Sequence, residues 1–201
     1  MTKTVDPDPP AARVGRPRSE RSRSEVLRAA SDLMREVGLR AMTTDEIAAR
    51  SGVGKATIYK WWPNKYAVAV EAFLAAMDTA AADPDTGSAE RDFRLALRGI
   101  MQFYRGPNGR VFAQLIGEAQ SHPDIAAELR HHLMQPRREV GRAIWDRGVA
   151  RGELRTDIDR EIAVDLVFGP AMYRLLATDA PLDSETADAI VAAAMRGLAA
   201  V

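Results

Sequence analysis

The 201-residue sequence has no cysteine, which excludes a disulfide framework, a thiolate zinc site and a cysteine nucleophile. Its only histidines are His122, His131 and His132. Adjacent histidines on a helix point about 100° apart, a poor geometry for sharing one metal ion. Carboxylates are scattered without a paired motif, and no glycine-rich phosphate loop follows a strand pattern. These gaps leave little ground for an enzyme, and no metal or cofactor is expected. Aromatics are scarce at 6% while alanine is abundant, a composition suited to closely packed helices. No apolar run approaches the roughly 20 residues of a membrane span. Asp6 to Pro10 is acidic and proline-rich where a signal peptide would be apolar. The expectation is a cytoplasmic protein with no membrane partner.

An excess of charge is also missing, since the formal net charge is +0. Its distribution is uneven. Residues 1–65 hold 13 Lys/Arg against 8 Asp/Glu, and residues 66–201 hold 15 against 20. All four lysines, Lys3, Lys55, Lys60 and Lys65, fall in the first part. A basic N-terminal module before an acidic remainder is the electrostatic footprint of phosphate contact at one end. The length suits one or two domains with a substantial core.

What the sequence does contain is a concentrated signal between Thr43 and Trp62. Thr43 followed by Glu46 is a capping box, in which a hydroxyl takes an orphan backbone N–H and the glutamate reaches back. Ile47 and Ala48 face inward, Ser51-Gly52 ends the helix, and Val53 plugs the corner. Gly52 can take positive φ without a Cβ penalty. Gly54 to Thr57 opens a second helix with Ile58 and Trp61 on one face. The pattern predicts a helix-turn-helix. Lys55, Thr57, Tyr59 and Lys60 are left pointing outward, all hydrogen-bond donors suited to phosphate oxygens and base edges in a major groove. The plain alternative is an ordinary αα-hairpin with a solvated polar face.

The flanks extend this reading. Residues 1–12 are polar with three prolines and are expected to be disordered. Arg13 to Arg18 forms a short basic arm whose Gly15 and Pro17 resist helix formation. Arg16 and Arg18 are candidates for a DNA groove, against the alternative of a tail with no partner. A first helix should start at Ser19 or Ser24 and run to Val37, with Gly38 stopping it and Leu39 to Met42 as a link. Trp62 before Pro63 breaks the helical pattern. Asn64 can cap a helix running to about Ala82, and Lys65 in its first turn opposes the helix dipole, a small sign of another job as a phosphate clamp. Trp61, Trp62 and Tyr66 should wedge the small module against that helix. The domain limits are an arm at 1–18, the helix-turn-helix domain at 19–65 and a helical domain at 66–201.

Periodicity predicts further helices over about Ala89–Tyr104, from Val111 to Ala119 after a loop at Arg105–Gly109, and over Asp124–Ala150 with a kink near Leu133 caused by Pro136. Two more cover about Asp159–Thr178 and from Asp183 or Ser184 to Leu198. The fold class is all-α. The last helix is apolar over so wide an arc that one neighbour cannot cover it. The final pair is read as half of a four-helix homodimer interface carrying Ile162, Leu166, Tyr173, Ile190, Val191, Ala194, Met195 and Leu198. The alternative is that this hairpin completes the core of a monomer.

Thr44-Asp45-Glu46-Ile47-Ala48, Gly52-Val53, Thr57-Ile58-Tyr59 and Trp62-Pro63-Asn64-Lys65 together resemble the DNA-binding signature of the tetracycline-repressor (TetR/AcrR) family. Trp62 stands where that family usually has phenylalanine. The detailed resemblance covers about Arg16 to Phe73. Arg151 to Arg155 and Phe168 to Pro170 resemble phrases of the family's ligand-binding domains. The resemblance implies about nine helices, a homodimer joined by its last two helices, a near-palindromic double-stranded DNA operator, and an unknown small-molecule effector that enters among the middle helices and releases DNA. The two recognition helices should then lie roughly 34–36 Å apart. It makes Thr44, Lys55, Thr57, Tyr59, Lys60 and Lys65 DNA-contact candidates, with Tyr59 and Lys65 on phosphates and Lys55 and Lys60 on bases or phosphates. The large apolar residues that could line an effector pocket are Phe103, Tyr104, Phe112, Ile116, Met134, Trp145, Phe168, Met172 and Tyr173, with Gln114, Glu118 and His131 as polar anchors. Each is equally at home as plain core. The leading function is a ligand-responsive repressor, with activation open. The alternative is a helical dimeric scaffold or small-molecule binder without specific DNA binding.

Overall fold

Capping and apolar spacing divide the chain into helices, and a computed structural model describes residues 16–76 and 83–200 of it. Residues 1–15, which include Arg13, and the expected end of the helix at Ala82 lie outside the described residues. The helices are α1 (Arg16–Glu36), α2 (Gly38–Ala41), α3 (Thr44–Ser51), α4 (Lys55–Trp61), α5 (Lys65–Ala76), α6 (Ala89–Arg105), α7 (Pro107–Ala119), α8 (Pro123–Leu129), α9 (Gln135–Ala150), α10 (Arg160–Ala177) and α11 (Ser184–Leu198). A π-helical turn, Arg130–Met134, joins α8 to α9. Taking α8 through α9 as one rod leaves nine helices of seven or more residues among the described residues, as expected.

Several boundaries differ from the sequence reading. α1 starts at Arg16, so Arg16 to Arg18 belong to a helix and not to an irregular arm. Pro17 fits there because a first-turn N–H has no helical partner to lose. The link at Leu39 to Met42 is one helical turn, α2, up to Ala41. The loop expected at Arg105–Gly109 shrinks to Gly106, because Pro107 starts α7 at once. That corner is tight: a Cβ on Gly109 would lie 1.8 Å from the Tyr104 carbonyl oxygen. The kink expected from Pro136 is the π turn. A widened turn accommodates a proline that cannot donate to the helix ladder.

The N-terminal domain packs α1 against α3 and α5. Ala30, Leu33, Met34, Ile47 and Ile58 are buried there as the periodicity predicts, with Leu27 and Val53 partly buried. Trp62 is buried too, and its indole Nε1 donates to Glu71 Oε2 at 2.7 Å. The same carboxylate receives both arms of the Arg23 guanidinium, at 2.9 and 2.7 Å, and that guanidinium lies over the Trp62 ring. Trp62 therefore pins α4 to α1 and α5, the wedge its position suggested.

The second domain is built on α6, whose Phe93, Leu97 and Met101 are fully buried. α11 packs along α6, and α9 and α10 close the other sides. Arg151 to Arg155 acts as a clip: Glu153 Oε2 accepts from the first N–H of α6 at 2.6 Å, while Arg155 N–H donates to Leu198 O at 3.0 Å. Arg138 and Arg142 of α9 both reach Glu161 of α10, at 2.7 Å from each.

Candidate nucleic-acid interface

The helix-turn-helix begins at a complete capping box. Thr43 Oγ1 accepts from Glu46 N–H at 3.2 Å, and the Glu46 carboxylate accepts from Thr43 N–H at 2.9 Å. Gly52 ends α3 at φ 69°, a left-handed conformation in which a side chain would be strained. The turn through Val53 and Gly54 then starts α4, whose buried Ile58 faces the core.

The opposite face of α4 is solvent-exposed at Lys55, Ala56, Thr57, Tyr59 and Lys60. The structure thus brings four of the expected contact residues onto one surface. Tyr59 is 51% exposed although it is aromatic. Lys55 forms an ion pair with Asp45 across the turn, which holds its ammonium near the N-terminal end of α3. Lys60 has no ion-pair partner among the described residues, so its charge is free for an incoming phosphate. Thr44 sits at the start of α3, half-buried. Arg16 and Arg18 lie in the first turn of α1, and their side chains lie outside the description.

Lys65 is placed differently from the phosphate clamp expected of it. Its ammonium donates to the carbonyls of Leu39, Arg40 and Met42 at 3.4, 2.9 and 3.0 Å. An ammonium has three donors, and all three are occupied. Lys65 closes the C-terminal end of α2, where a cation is favoured by the helix dipole. Asn64 caps α5 as expected, accepting from Tyr66 and Ala67 N–H at 2.9 Å each.

The other side of α2 is held by the second domain. Gln114 Oε1 of α7 accepts from Leu39 N–H at 2.8 Å, and Glu118 Oε1 accepts from Arg40 at 2.8 Å. Tyr66 donates its hydroxyl to Glu118 Oε2 at 3.4 Å, and its ring packs on His122. The Arg40 guanidinium holds the Glu118 carboxyl below its ordinary range. Gln114 and Glu118 were expected as polar groups of a pocket. They instead join α7 to the N-terminal domain, a role no periodicity signals because both partners are backbone or distant in sequence.

Among the pocket candidates, Phe103, Tyr104 and Phe112 do gather, together with Phe73. Trp145 is buried, and Ile116, Met134, Phe168 and Met172 are partly buried against the core. Tyr173 is 64% exposed and cannot line an interior pocket. His131 is exposed and lines a surface groove of about 550 Å³ beside Pro136. Sequence reasoning passed over Arg137, whose guanidinium lies 4.7 Å from the Phe103 ring centre and 5.8 Å from that of Phe112. An arginine in a polar run gives no outward sign that it turns inward.

The expected dimer face divides in two. Ile162, Leu166 and Tyr173 are exposed along α10 with Leu176, an apolar stripe open to solvent. Val191, Met195 and Leu198 are instead buried within the chain, packed toward α6, so they are core residues of the protomer. Ile190 and Ala194 are half-buried. The exposed face of α11 carries Ala189, Ala193 and Gly197 at four-residue spacing.

Residues 26–72 match the family described as bacterial regulatory proteins, tetR family, and residues 83–194 match the tetracyclin repressor-like C-terminal domain. The HTH-type transcriptional regulator YdeS of Bacillus subtilis is 39% identical over 92% of this chain and 94% of its own length. The DNA-binding transcriptional repressor TetR of Mycobacteroides abscessus is 27% identical over 83% of this chain and 87% of its own. The solved structure of the TetR family transcription regulator SCO0332 aligns with a TM-score of 0.72 at 34% identity, covering 88% of this chain and 97% of that one. FadR of Bacillus subtilis, crystallised with stearoyl-CoA, shares the fold with a TM-score of 0.69 at 16% identity, over 87% of this chain and 98% of that one.

Proposed function

The chain belongs to the tetR family of bacterial regulatory proteins, and from that membership we propose that it is a ligand-responsive repressor which binds a palindromic operator as a homodimer. That it is a transcriptional regulator with a helix-turn-helix domain follows from the family itself. The observation that carries the finer reading is the exposed face of α4. Lys55, Thr57, Tyr59 and Lys60 project from a helix whose own buried face and capped neighbour fix its orientation. Such a surface serves both phosphate oxygens and base edges.

One α4 reads half a site, so the proposal needs a second copy. The exposed stripe Ile162, Leu166, Tyr173 and Leu176 on α10, beside the small exposed residues of α11, supplies a surface for it. A Cβ at Gly169 or Gly197 would meet nothing within 4 Å in the isolated chain, which leaves room for a partner helix to approach closely. Release by a ligand requires that the ligand prefer one of two arrangements of the paired DNA-binding domains. The contacts of Gln114 and Glu118 with α2 are the route by which movement of α7 reaches α3 and α4. In FadR the same fold holds stearoyl-CoA, consistent with a small-molecule effector here.

The test is selection of a binding sequence from random duplexes by the full-length protein, followed by a salt titration of the selected site. The expected result is a palindrome bound by two protomers with a steep salt slope. Absence of binding even at low salt would leave the helical scaffold as the better reading.

A further inference from the structure

Arg137 is out of place for an arginine. Its neighbours Arg138 and Arg142 bind Glu161, and Arg147 binds Asp83. Arg137 has no carboxylate within ion-pair distance among the described residues. Its guanidinium instead lies over the rings of Phe103, Tyr104 and Phe112, at 4.7, 5.9 and 5.8 Å. Its Nη1 is shielded from solvent and has no hydrogen-bond acceptor. Burial pulls the guanidinium below its ordinary value and pushes the Tyr104 phenol up, and the Tyr104 hydroxyl, the guanidinium's one polar partner among the described residues, opposes both shifts only in part. A shielded Nη1 without an acceptor is costly, and the ring contacts and the Tyr104 hydroxyl recover only part of that cost.

The backbone aims this residue inward. Leu129, Leu133, Arg137 and Gly141 recur every four residues, and in a regular helix each such step drifts by about 40°. The π turn Arg130–Met134 takes up that drift, so all four share the inner face. π turns of this kind are frequent at functional sites. The rings under Arg137 come from the α6–α7 corner. Phe112 is two residues from Gln114, which holds α2 of the DNA-binding domain.

We propose that Arg137 anchors the effector, and that the effector is a monocarboxylate on an apolar or aromatic body seated against Phe103, Tyr104 and Phe112. This rests on the ligand-responsive reading above. One guanidinium with a free Nη1 matches one carboxylate. A phosphate dianion would call for a second cation, and none lies over this ring cluster among the described residues. The rings supply the complementary surface for the rest of the molecule.

The test uses the full-length protein and matched pairs of probes, 4-phenylbutyrate and decanoate against their primary amides, by titration calorimetry. At least one acid should bind ten-fold or more tightly than its amide. Arg137→Met should abolish that preference while leaving the melting temperature of the unliganded protein unchanged or higher, because it removes a donor, Nη1, that is shielded without an acceptor. Arg137→Lys, which keeps a cation, should retain part of the preference and guards against a misfolded methionine variant. Equal binding of acid and amide, no binding of either, or a lower melting temperature in Arg137→Met with the preference intact would overturn the proposal. Operator affinity without probe is measured in parallel: its loss would defeat the repressor reading alone, and the loss of acid preference would defeat the anchor alone.

Discussion

At the scale of single residues, Lys65 and Tyr59 show how the same charge or ring can serve fold or function. Lys65 occupies a position where sequence spacing suggests a phosphate clamp, yet its ammonium closes three carbonyls at the end of α2. Lys65→Met should therefore destabilise the DNA-free protein by about 2 kcal/mol, the scale of charge-assisted hydrogen bonds lost together. Chemical denaturation checks this, and an unchanged midpoint would return Lys65 to the phosphate. Tyr59 makes no side-chain hydrogen bond among the described residues and stands half out of the surface. Tyr59→Ala should lower operator affinity roughly ten-fold, the effect of one contact of about 1.4 kcal/mol, with the denaturation midpoint unchanged. What the sequence made legible at this scale was the local chemistry: the Thr43–Glu46 box, the glycine turn and the Asn64 cap all depend on residues within three positions of each other. The partners of Lys65, Gln114 and Arg137 lie more than 20 residues away or come from backbone, and no local pattern encodes them.

At the scale of elements, the junctions between helices carry the sharper consequences. Glu161 ties α10 to α9 through Arg142 and Arg138, whose hydrogen bonds pull its carboxyl from 4.5 down to about 2. A carboxyl depressed on folding stabilises above its unfolded value, and that contribution is lost as pH falls from about 4.5 toward 2. The difference in melting temperature between the native protein and Glu161→Gln should accordingly be present at pH 6 and shrink steadily below pH 4.5. A difference that stays constant across that range would mean the pairs contribute nothing. The α6–α7 corner is rigid for a steric reason. Gly109→Ala would force a methyl group into the Tyr104 carbonyl, and overpacking of this kind costs about 1–3 kcal/mol, measurable as a lower denaturation midpoint. Helix existence was legible in the spacing of apolar residues. Their ends were less so, because Pro17 and Pro107 read as breakers in sequence but serve as first-turn residues in the fold.

At the scale of the whole molecule, the proposed homodimer gives the exposed apolar stripe of α10 and the exposed face of α4 one joint role. The sequence suggested this from the wide apolar arc of α11, but the register was partly misread. Val191, Met195 and Leu198 are buried within their own chain, while the α10 stripe with Ala189, Ala193 and Gly197 is left exposed. Apolar content alone does not separate a residue facing its own core from one facing a second copy. If the proposed homodimer forms through this stripe, Leu166→Asp with Tyr173→Asp should give a folded monomer by light scattering and reduce operator affinity, because a charged pair there opposes a buried interface. The central claim is that two copies of α4 read one operator. The most direct measurement is a salt titration of the full-length protein on its selected duplex, with the stoichiometry determined at saturation. Two protomers per duplex, with affinity falling about 10³-fold or more between roughly 50 and 200 mM salt, is the predicted result. A single protomer per duplex, or affinity indifferent to salt and sequence, would contradict it.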